Sequence, residues 1–300
     1  MLSSLALRAS RRSPALLAPA LGAPALSPPV HGFAPPLSRS FAQGPAAGGF
    51  IDDDLLAKLG SLSTQALVDG LWIMGYPPAQ IDGARPLAPD HKCVGRAVTL
   101  NFVEQRPDIA MDKPPGVESP EYEAFELCGP QSVLVMSSCG PWESVGGDIK
   151  FLRLKQLGLA GLVTDGSVRD TDEILGYGFA TFCHSTTARQ GPQAMQPWEA
   201  QGVVSCGGVS VRPGDAIVGD QDGVVVVPSK VAAMVYSIAH GREVIEDIIK
   251  EELVKNPGPP GLYYPFVSGK IVVGSPLSDL LATKGITPDN SNQFSGTANW

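Results

Sequence analysis

The stretch "GLVTDGSVRD", residues 161–170, runs from apolar residues through Gly166 into adjacent opposite charges, Arg169 and Asp170. A guanidinium is a planar, two-pronged clamp for a carboxylate. About twenty residues upstream, Gly146-Gly147 opens a predicted helix, whose first amides at its positive end cradle the same kind of anion. Together the two segments fit a small carboxylic acid. Asp170 would repel such an anion as a direct contact, unless a divalent cation lies between them. Mg²⁺ or Mn²⁺, held by an oxygen ligand and waters, meets that condition. Each residue also has a plainer reading. Asp170-x-x-Glu173 imitates a capping box, and Arg169 alone could pair with any surface acid.

These charges must be positioned by a sheet edge. "SVLVMSS" is an apolar run of strand length, "GPWESVGG" a loop, "DIKFLRLKQLG" a helix ended by Gly158, and "GLVTDG" a second apolar strand. The order strand, loop, helix, strand predicts two parallel strands joined by a crossover, with ligands gathering outside their carboxyl ends. Both glycine-bounded segments fall at that edge. Upstream, "LLAKLGSLSTQALVDGLWIMG" has the spacing of a helix or helix pair, with Ser63 or Thr64 as a cap, and "CVGRAVTLNFV" reads as a strand. Residues 106–127, Pro-rich and acidic, read as a surface loop that can carry a short helix. Downstream, "GFATFC", "GVVSCGGVSVRPGDAIVGDQDGVVVVPS" and "KIVVG" predict strands with tight turns. Ser229 is positioned to cap a long amphipathic helix reaching Leu253, which Gly241 could bend.

The chain of 300 residues has 43% hydrophobic and 17% charged residues, enough to bury a large core. Its formal charge of −8 offers no basic surface for nucleic acid. The first acidic residue is Asp52, and the segment before it carries Arg8, Arg11, Arg12 and Arg39 among Ala, Ser, Leu and Pro. Residues 1–41 therefore read as an organelle transit peptide, directing the chain to the mitochondrial matrix with a chloroplast as the alternative, and Arg39-Ser40-Phe41-Ala42 resembles a processing site. Residues 50–285 read as a single domain and 286–300 as a flexible tail. The longest apolar runs of the opening segment are too short for a membrane span. Five scattered cysteines form no CxxC pair and read as reduced, mostly buried side chains, and four histidines show no metal spacing.

At this level of detail the chain resembles the RraA-like proteins, which include class II pyruvate aldolases that cleave 4-hydroxy-4-methyl-2-oxoglutarate. The likeness runs over roughly residues 60–265, through "STQALVDGL", "GRAVTL", "GGDIKFLRLKQLGLAGLVTDGSVRDTDEI", "FATFCHSTTA", "SCGGVSVRPGDAIVGDQDGVVVVP" and "GLYYPF". It implies an α/β fold, an α/β/β/α sandwich with mixed sheets, assembled as a homotrimer or hexamer with active sites between subunits. It also implies that Arg169 binds a 2-keto acid carboxylate, that Asp170 holds the metal, and that amides near Gly147, Ile149 and Lys150 complete the cradle. The aldolases of the family carry an acid separated by twenty-five residues from an Asp-Glu pair. Here Asp220 stands in that relation to Glu246-Asp247, with the pair reversed. Asp220 and Glu246 are thus the candidate bases.

The implied chemistry is metal-stabilised enolate formation, either by aldol cleavage of a 4-hydroxy-2-keto diacid to pyruvate or by decarboxylation of oxaloacetate. The alternative is a non-catalytic member that binds and inhibits a ribonuclease. Schiff-base chemistry and nucleotide-dependent methyl transfer find no supporting motif.

Overall fold

The computed structural model describes residues 51–263 and 271–286. The transit-peptide segment 1–41 and nearly all of the tail 286–300 lie outside the described residues, as does part of "GLYYPF".

The predicted helix pair is present as α1 (Asp53–Gly60) and α2 (Thr64–Ile73). Asp52 and Ser63 cap them, their side chains accepting from the amides of Leu55 at 2.8 Å and Ala66 at 3.2 Å. After the short β1 (Arg85–Pro86) comes β2 (Cys93–Glu104), the long strand foreseen from its β-branched run.

Residues 106–127 are more ordered than a loop. They form α3 (Pro107–Ala110) and α4 (Pro120–Glu126), with Pro in the first turn of each. Phe125 of α4 is fully buried, so the acidic composition masked a helix with an inward face.

Next come β3 (Ser132–Ser137), α5 (Asp148–Gln156), β4 (Gly161–Thr164), β5 (Ser167–Val168), α6 (Thr171–Tyr177), β6 (Ala180–Cys183) and β7 (Ser185–Thr186). The strands β8 (Met195–Ala200), β9 (Val204–Cys206), β10 (Val209–Val211), β11 (Ala216–Asp220) and β12 (Gly223–Val227) follow, then the helices α7 (Ala232–Lys255) and α8 (Pro276–Thr283).

The main sheet runs β1-β6-β4-β3-β2-β11-β12, with β8 also paired to β2. The strands β2, β3, β4 and β6 are parallel, while β11, β12, β8 and β1 join antiparallel, which makes the sheet mixed. Its ends curl together. Gln80 bridges to Val225 in β12, and Arg85 at the opposite edge donates to the carbonyl of Asp222 at 3.0 Å.

Period-two alternation sorts the strand residues between cores. Val133, Val135, Phe182, Ile217, Val224 and Val226 fill the space inside the curled sheet. Leu134 and Met136 face outward onto Phe125, Phe151 and Leu154 of the α4–α5 side. Val218, Val225 and Val227 face outward onto Leu59, Leu67 and Val235 of α1, α2 and α7. Helices, two apposed halves of a sheet, then helices: this is the α/β/β/α layering expected. Phe151 illustrates its cost of disruption, since truncating such a fully buried ring to Ala typically loses about 3–5 kcal/mol.

Two local expectations fail. Residues 271–274 of "KIVVG" form no strand, and Val272 and Val273 stay exposed because no sheet edge lies beside them. Ser229 does not cap α7. Its amide instead donates to Asp215 Oδ1 at 2.9 Å, and a short 3₁₀ turn leads into the helix, which runs unbroken past Gly241.

Candidate active site

The crossover β3–α5–β4 brings two loops together at the carboxyl edge of the parallel strands. The amide of Ser167 donates to the carbonyl of Glu143 at 2.9 Å, that of Val145 to Ser167 at 2.9 Å, and that of Arg169 to Gly146 at 3.1 Å. Residues 143–146 therefore run as a rail beside 167–169. Below them Asp165 ties the floor, accepting from the amides of Ser138 at 2.8 Å and Gly207 at 2.9 Å.

The chain turns sharply at Asp170, which adopts a left-handed conformation at φ 58° and ψ 50°. A non-glycine residue there is uncommon and accumulates at functional sites. Its carbonyl accepts from the Ile174 amide at 3.1 Å and so opens α6, yet its side chain makes no cap bond with that helix. The capping-box alternative fails on this point. The carboxylate points back across the gap, and Oδ2 accepts from the Asp148 amide at the start of α5 at 3.2 Å.

Gly147 makes the approach feasible. A Cβ there would lie 2.4 Å from Asp170 Oδ2 and 2.7 Å from Arg169 Cγ. The ladder of α5 begins with Phe151 bonding to the carbonyl of Gly147 at 3.0 Å, so the amides of Ile149 and Lys150 stand ahead of it and, among the described residues, are open to an anion.

Arg169 Nε lies 3.4 Å from Asp170 Oδ2, a loose pairing of two side chains that are 39% and 36% exposed. Among the described residues, no other hydrogen bond or ion pair engages that guanidinium. Lys150 differs: its ammonium donates to both oxygens of buried Glu121, at 2.9 and 2.7 Å. Lys150 thus offers the site its amide, while its charge is neutralised elsewhere. Tyr177 donates to Asp148 Oδ1, and that bond pushes the phenol up to about 12. It keeps the Asp148 carboxylate turned toward α6.

These groups border a cavity of about 470 Å³. Arg169, Asp170, Gly147, Ile149 and Lys150 all line it, so five of the residues singled out from sequence converge. Phe102, Met195 and Pro197 add an apolar wall, Glu173 of the capping-box pattern adds a carboxylate, and Gln190 and Gln196 add polar groups that no motif announced. The one cue was Gly191-Pro192. A Cβ on Gly191 would lie 2.0 Å from the carbonyl of Ser144, which shows how closely that segment crosses the rail.

Asp220 and Glu246 are elsewhere. Gly219 pairs with Cys93 at the start of β2, whereas Ser137 at the carboxyl end of β3 pairs with Asn101. Eight residues of strand separate these levels, roughly 25 Å. Asp220 accepts from the Thr64 amide at 3.0 Å and hydroxyl at 2.8 Å, and Glu246 lies 3.9 Å from the buried Arg242. One chain therefore does not bring these acids to Arg169.

No group of three or more His, Cys, Asp or Glu residues is arranged to hold a metal ion among the described residues. A closed protein cage is thus not what Asp170 offers. A half-exposed carboxylate beside a cavity with room for several waters suits a hard cation that keeps most of its own.

The RraA-like family model, Aldolase/RraA, matches residues 64–226. The chain belongs to this family.

Within it, a Halalkalibacterium halodurans protein provisionally named 4-hydroxy-4-methyl-2-oxoglutarate aldolase is 34% identical over 145 residues, 48% of this chain and 63% of that one. An uncharacterised Methanocaldococcus jannaschii protein is 33% identical over 117 residues, 39% of this chain and 56% of its own length. The chain thus spans less than two thirds of these curated relatives. Among solved structures, Streptomyces coelicolor RraAS2, described as an unusual member of the RNase ES inhibitor RraA family, superposes with a TM-score of 0.62 at 30% identity, covering 67% of this chain and 98% of that one. An uncharacterised Pseudomonas syringae protein gives 0.59 at 26% identity, covering 69% and 96%. Both share the mixed α/β architecture. No helix among the described residues is long and apolar enough to cross a membrane.

Proposed function

We propose that the chain is a divalent-metal-dependent carbon–carbon lyase. Its substrate would be a 4-hydroxy-2-keto diacid of the 4-hydroxy-4-methyl-2-oxoglutarate type, cleaved to pyruvate, with oxaloacetate decarboxylated in the same cavity. The observation that carries this reading is the Arg169 guanidinium, held only loosely by the half-exposed Asp170 carboxylate, with both lining the cavity beside the first amides of α5. A keto acid fits that combination because its carboxylate answers the clamp and the amides at once.

Arg169 and the amides of Ile149 and Lys150 would hold the C1 carboxylate and so fix the C2 carbonyl. In aldol cleavage the C4 hydroxyl gives its proton to a base, and the C3–C4 electron pair moves toward C2 as C4 becomes a carbonyl. Protonation at C3 then releases pyruvate. Asp170 would hold Mg²⁺ or Mn²⁺, which when bound supplies Lewis-acid polarisation of the keto oxygen. Asp220 and Glu246 could serve as the base only from a second copy of the chain, in agreement with a homotrimer or hexamer. Residues 1–41 would be its address to the mitochondrial matrix, with the chloroplast as the alternative.

Pyruvate release by the purified full chain, with Mg²⁺ or Mn²⁺ and with a chelator, tests the reading. Chelation, or Asp170→Asn, should lower the rate by about 100-fold or more. Asparagine tolerates the left-handed backbone, so the fold should persist. The second reading, a ribonuclease-inhibiting binder, draws on the likeness to RraAS2. It predicts no pyruvate from either substrate, and inhibition that survives Asp170→Asn.

A further inference from the structure

Gln196, in β8, lines the same cavity and is only 8% exposed, yet among the described residues neither its side-chain oxygen nor its nitrogen has a hydrogen-bond partner. A buried amide is normally bonded, because leaving both its donor and acceptor unmet forfeits their hydration without replacement. The surroundings offer little relief. Met195 and Pro197 flank it in sequence, and its strand neighbour is Val103. The pattern is that of a polar group kept for something that enters the cavity. Three rotatable bonds allow the amide to turn from the wall toward an occupant.

We propose that Gln196 is a specificity-determining residue that recognises the C4 hydroxyl of the substrate, an inference that rests on the lyase reading above. An amide presents a donor and an acceptor together. A hydroxyl presents the same pair in return, whereas a carboxylate answers only the donor and leaves the amide oxygen unmet. The N–H would donate to the C4 oxygen as its proton departs, stabilising the charge that builds there. Oxaloacetate has no C4 hydroxyl, so Gln196 would favour aldol cleavage over decarboxylation. Discrimination of this kind arises where buried polar groups are left unmatched by the wrong substrate.

Gln196→Leu, with Gln196→Met as a second variant of similar length, tests this on the purified full chain. Three quantities are read: the melting temperature without ligand, retro-aldol cleavage of 4-hydroxy-4-methyl-2-oxoglutarate, and oxaloacetate decarboxylation. The ratio of cleavage to decarboxylation should fall about 10–100-fold. The melting temperature should rise by about 2–4 °C, because an unmet amide is removed. A glutamine that merely held the fold would show the opposite, with a lower melting temperature and both activities declining together. That result, or an unchanged ratio in both variants, overturns the assignment. A wild-type chain active on neither substrate instead overturns the lyase reading, and this recognition with it.

Discussion

The two ends of the main sheet use the same residue types to opposite ends. At the carboxyl edge, Arg169 and Asp170 are 3.4 Å apart, half-exposed, and bordered by helix amides without partners. At the other end, charges are consumed by the fold. Asp220 accepts from the amide and hydroxyl of Thr64 and from the amide of Asp222 at 2.9 Å. Glu243 accepts from the amide of Ser63 at 3.0 Å and its hydroxyl at 2.9 Å, and Arg242 reaches Asp69 at 2.7 Å. A carboxylate that takes several hydrogen bonds from the start of a helix organises it; one left with a 3.2 Å amide bond and a loose 3.4 Å ion pair beside a cavity is available to a ligand. Acidity alone therefore does not mark a reactive group. Free coordination and access do.

The largest expected effect comes from closing the open edge. Gly147→Ala puts a methyl group within 2.4 Å of Asp170 Oδ2 and 2.7 Å of Arg169 Cγ, so both side chains must shift. Pyruvate formation should drop about 100-fold, as it does when catalytic groups are displaced by an ångström. Overpacking should cost about 1–3 kcal/mol in denaturant unfolding. Wild-type turnover in the Gly147→Ala variant would break the comparison, since the edge would then tolerate misalignment.

The closed end should answer in stability. Asp220→Ala leaves the Thr64 amide and hydroxyl without their acceptor, and Thr64 is buried. Unfolding should become easier by about 1–3 kcal/mol, read from denaturant midpoints. Pyruvate affinity at the Arg169 edge should stay within about two-fold if Asp220 only anchors α2, because the two lie roughly 25 Å apart along the strands of one chain, and should fall further if a second copy brings Asp220 to that edge. Stability equal to wild type would show that Asp220 is not held as its geometry indicates.

How legible each end was from sequence follows from contact range. Gly147, Arg169 and Asp170 lie within one strand–helix–strand unit, whose apolar runs and glycine stops fix where its loops must meet. The continuous apolar run "SVLVMSS" likewise foretold a buried strand, but which of its residues face which core became visible only in the structure. The bonds from Ser63 to Glu243 and from Thr64 to Asp220 span 180 and 156 positions, and no local pattern encodes them. The same holds for Gln196, whose isolation depends on what several strands place around it. Residues 106–127 misled for another reason. Pro at the start of a helix and acids on its outer face look like loop composition, although Phe125 and Ala124 anchor the segment in the core. "KIVVG" had strand propensity but no free edge to pair with, and β propensity counts only where a neighbour exists.

The smallest effect is a matter of pH, and it sharpens the contrast because buried thiols are the extreme of closed chemistry. Burial pushes the Cys93 thiol up to about 12 from a usual 9.0, with the charge of Asp220 adding to the shift. Cys128 is likewise raised to about 12 by burial, and Cys206 is raised well above its usual value. Between these limits the unfolded chain releases thiol protons that the folded chain retains. The contribution to stability is therefore complete below about pH 9 and is lost as pH climbs toward 12. Each thiol adds a downward slope of at most about 1.4 kcal/mol per pH unit in that window. Denaturant unfolding followed from pH 8 to 10.5 should show the decline in the wild type and a shallower one in Cys93→Ala. Asp170→Asn, which removes no thiol, should keep the wild-type slope while losing turnover. Equal slopes for wild type and Cys93→Ala would mean that this thiol exchanges protons with solvent as freely in the folded chain as in the unfolded one, and the Asp220 end of the sheet would then be open rather than closed.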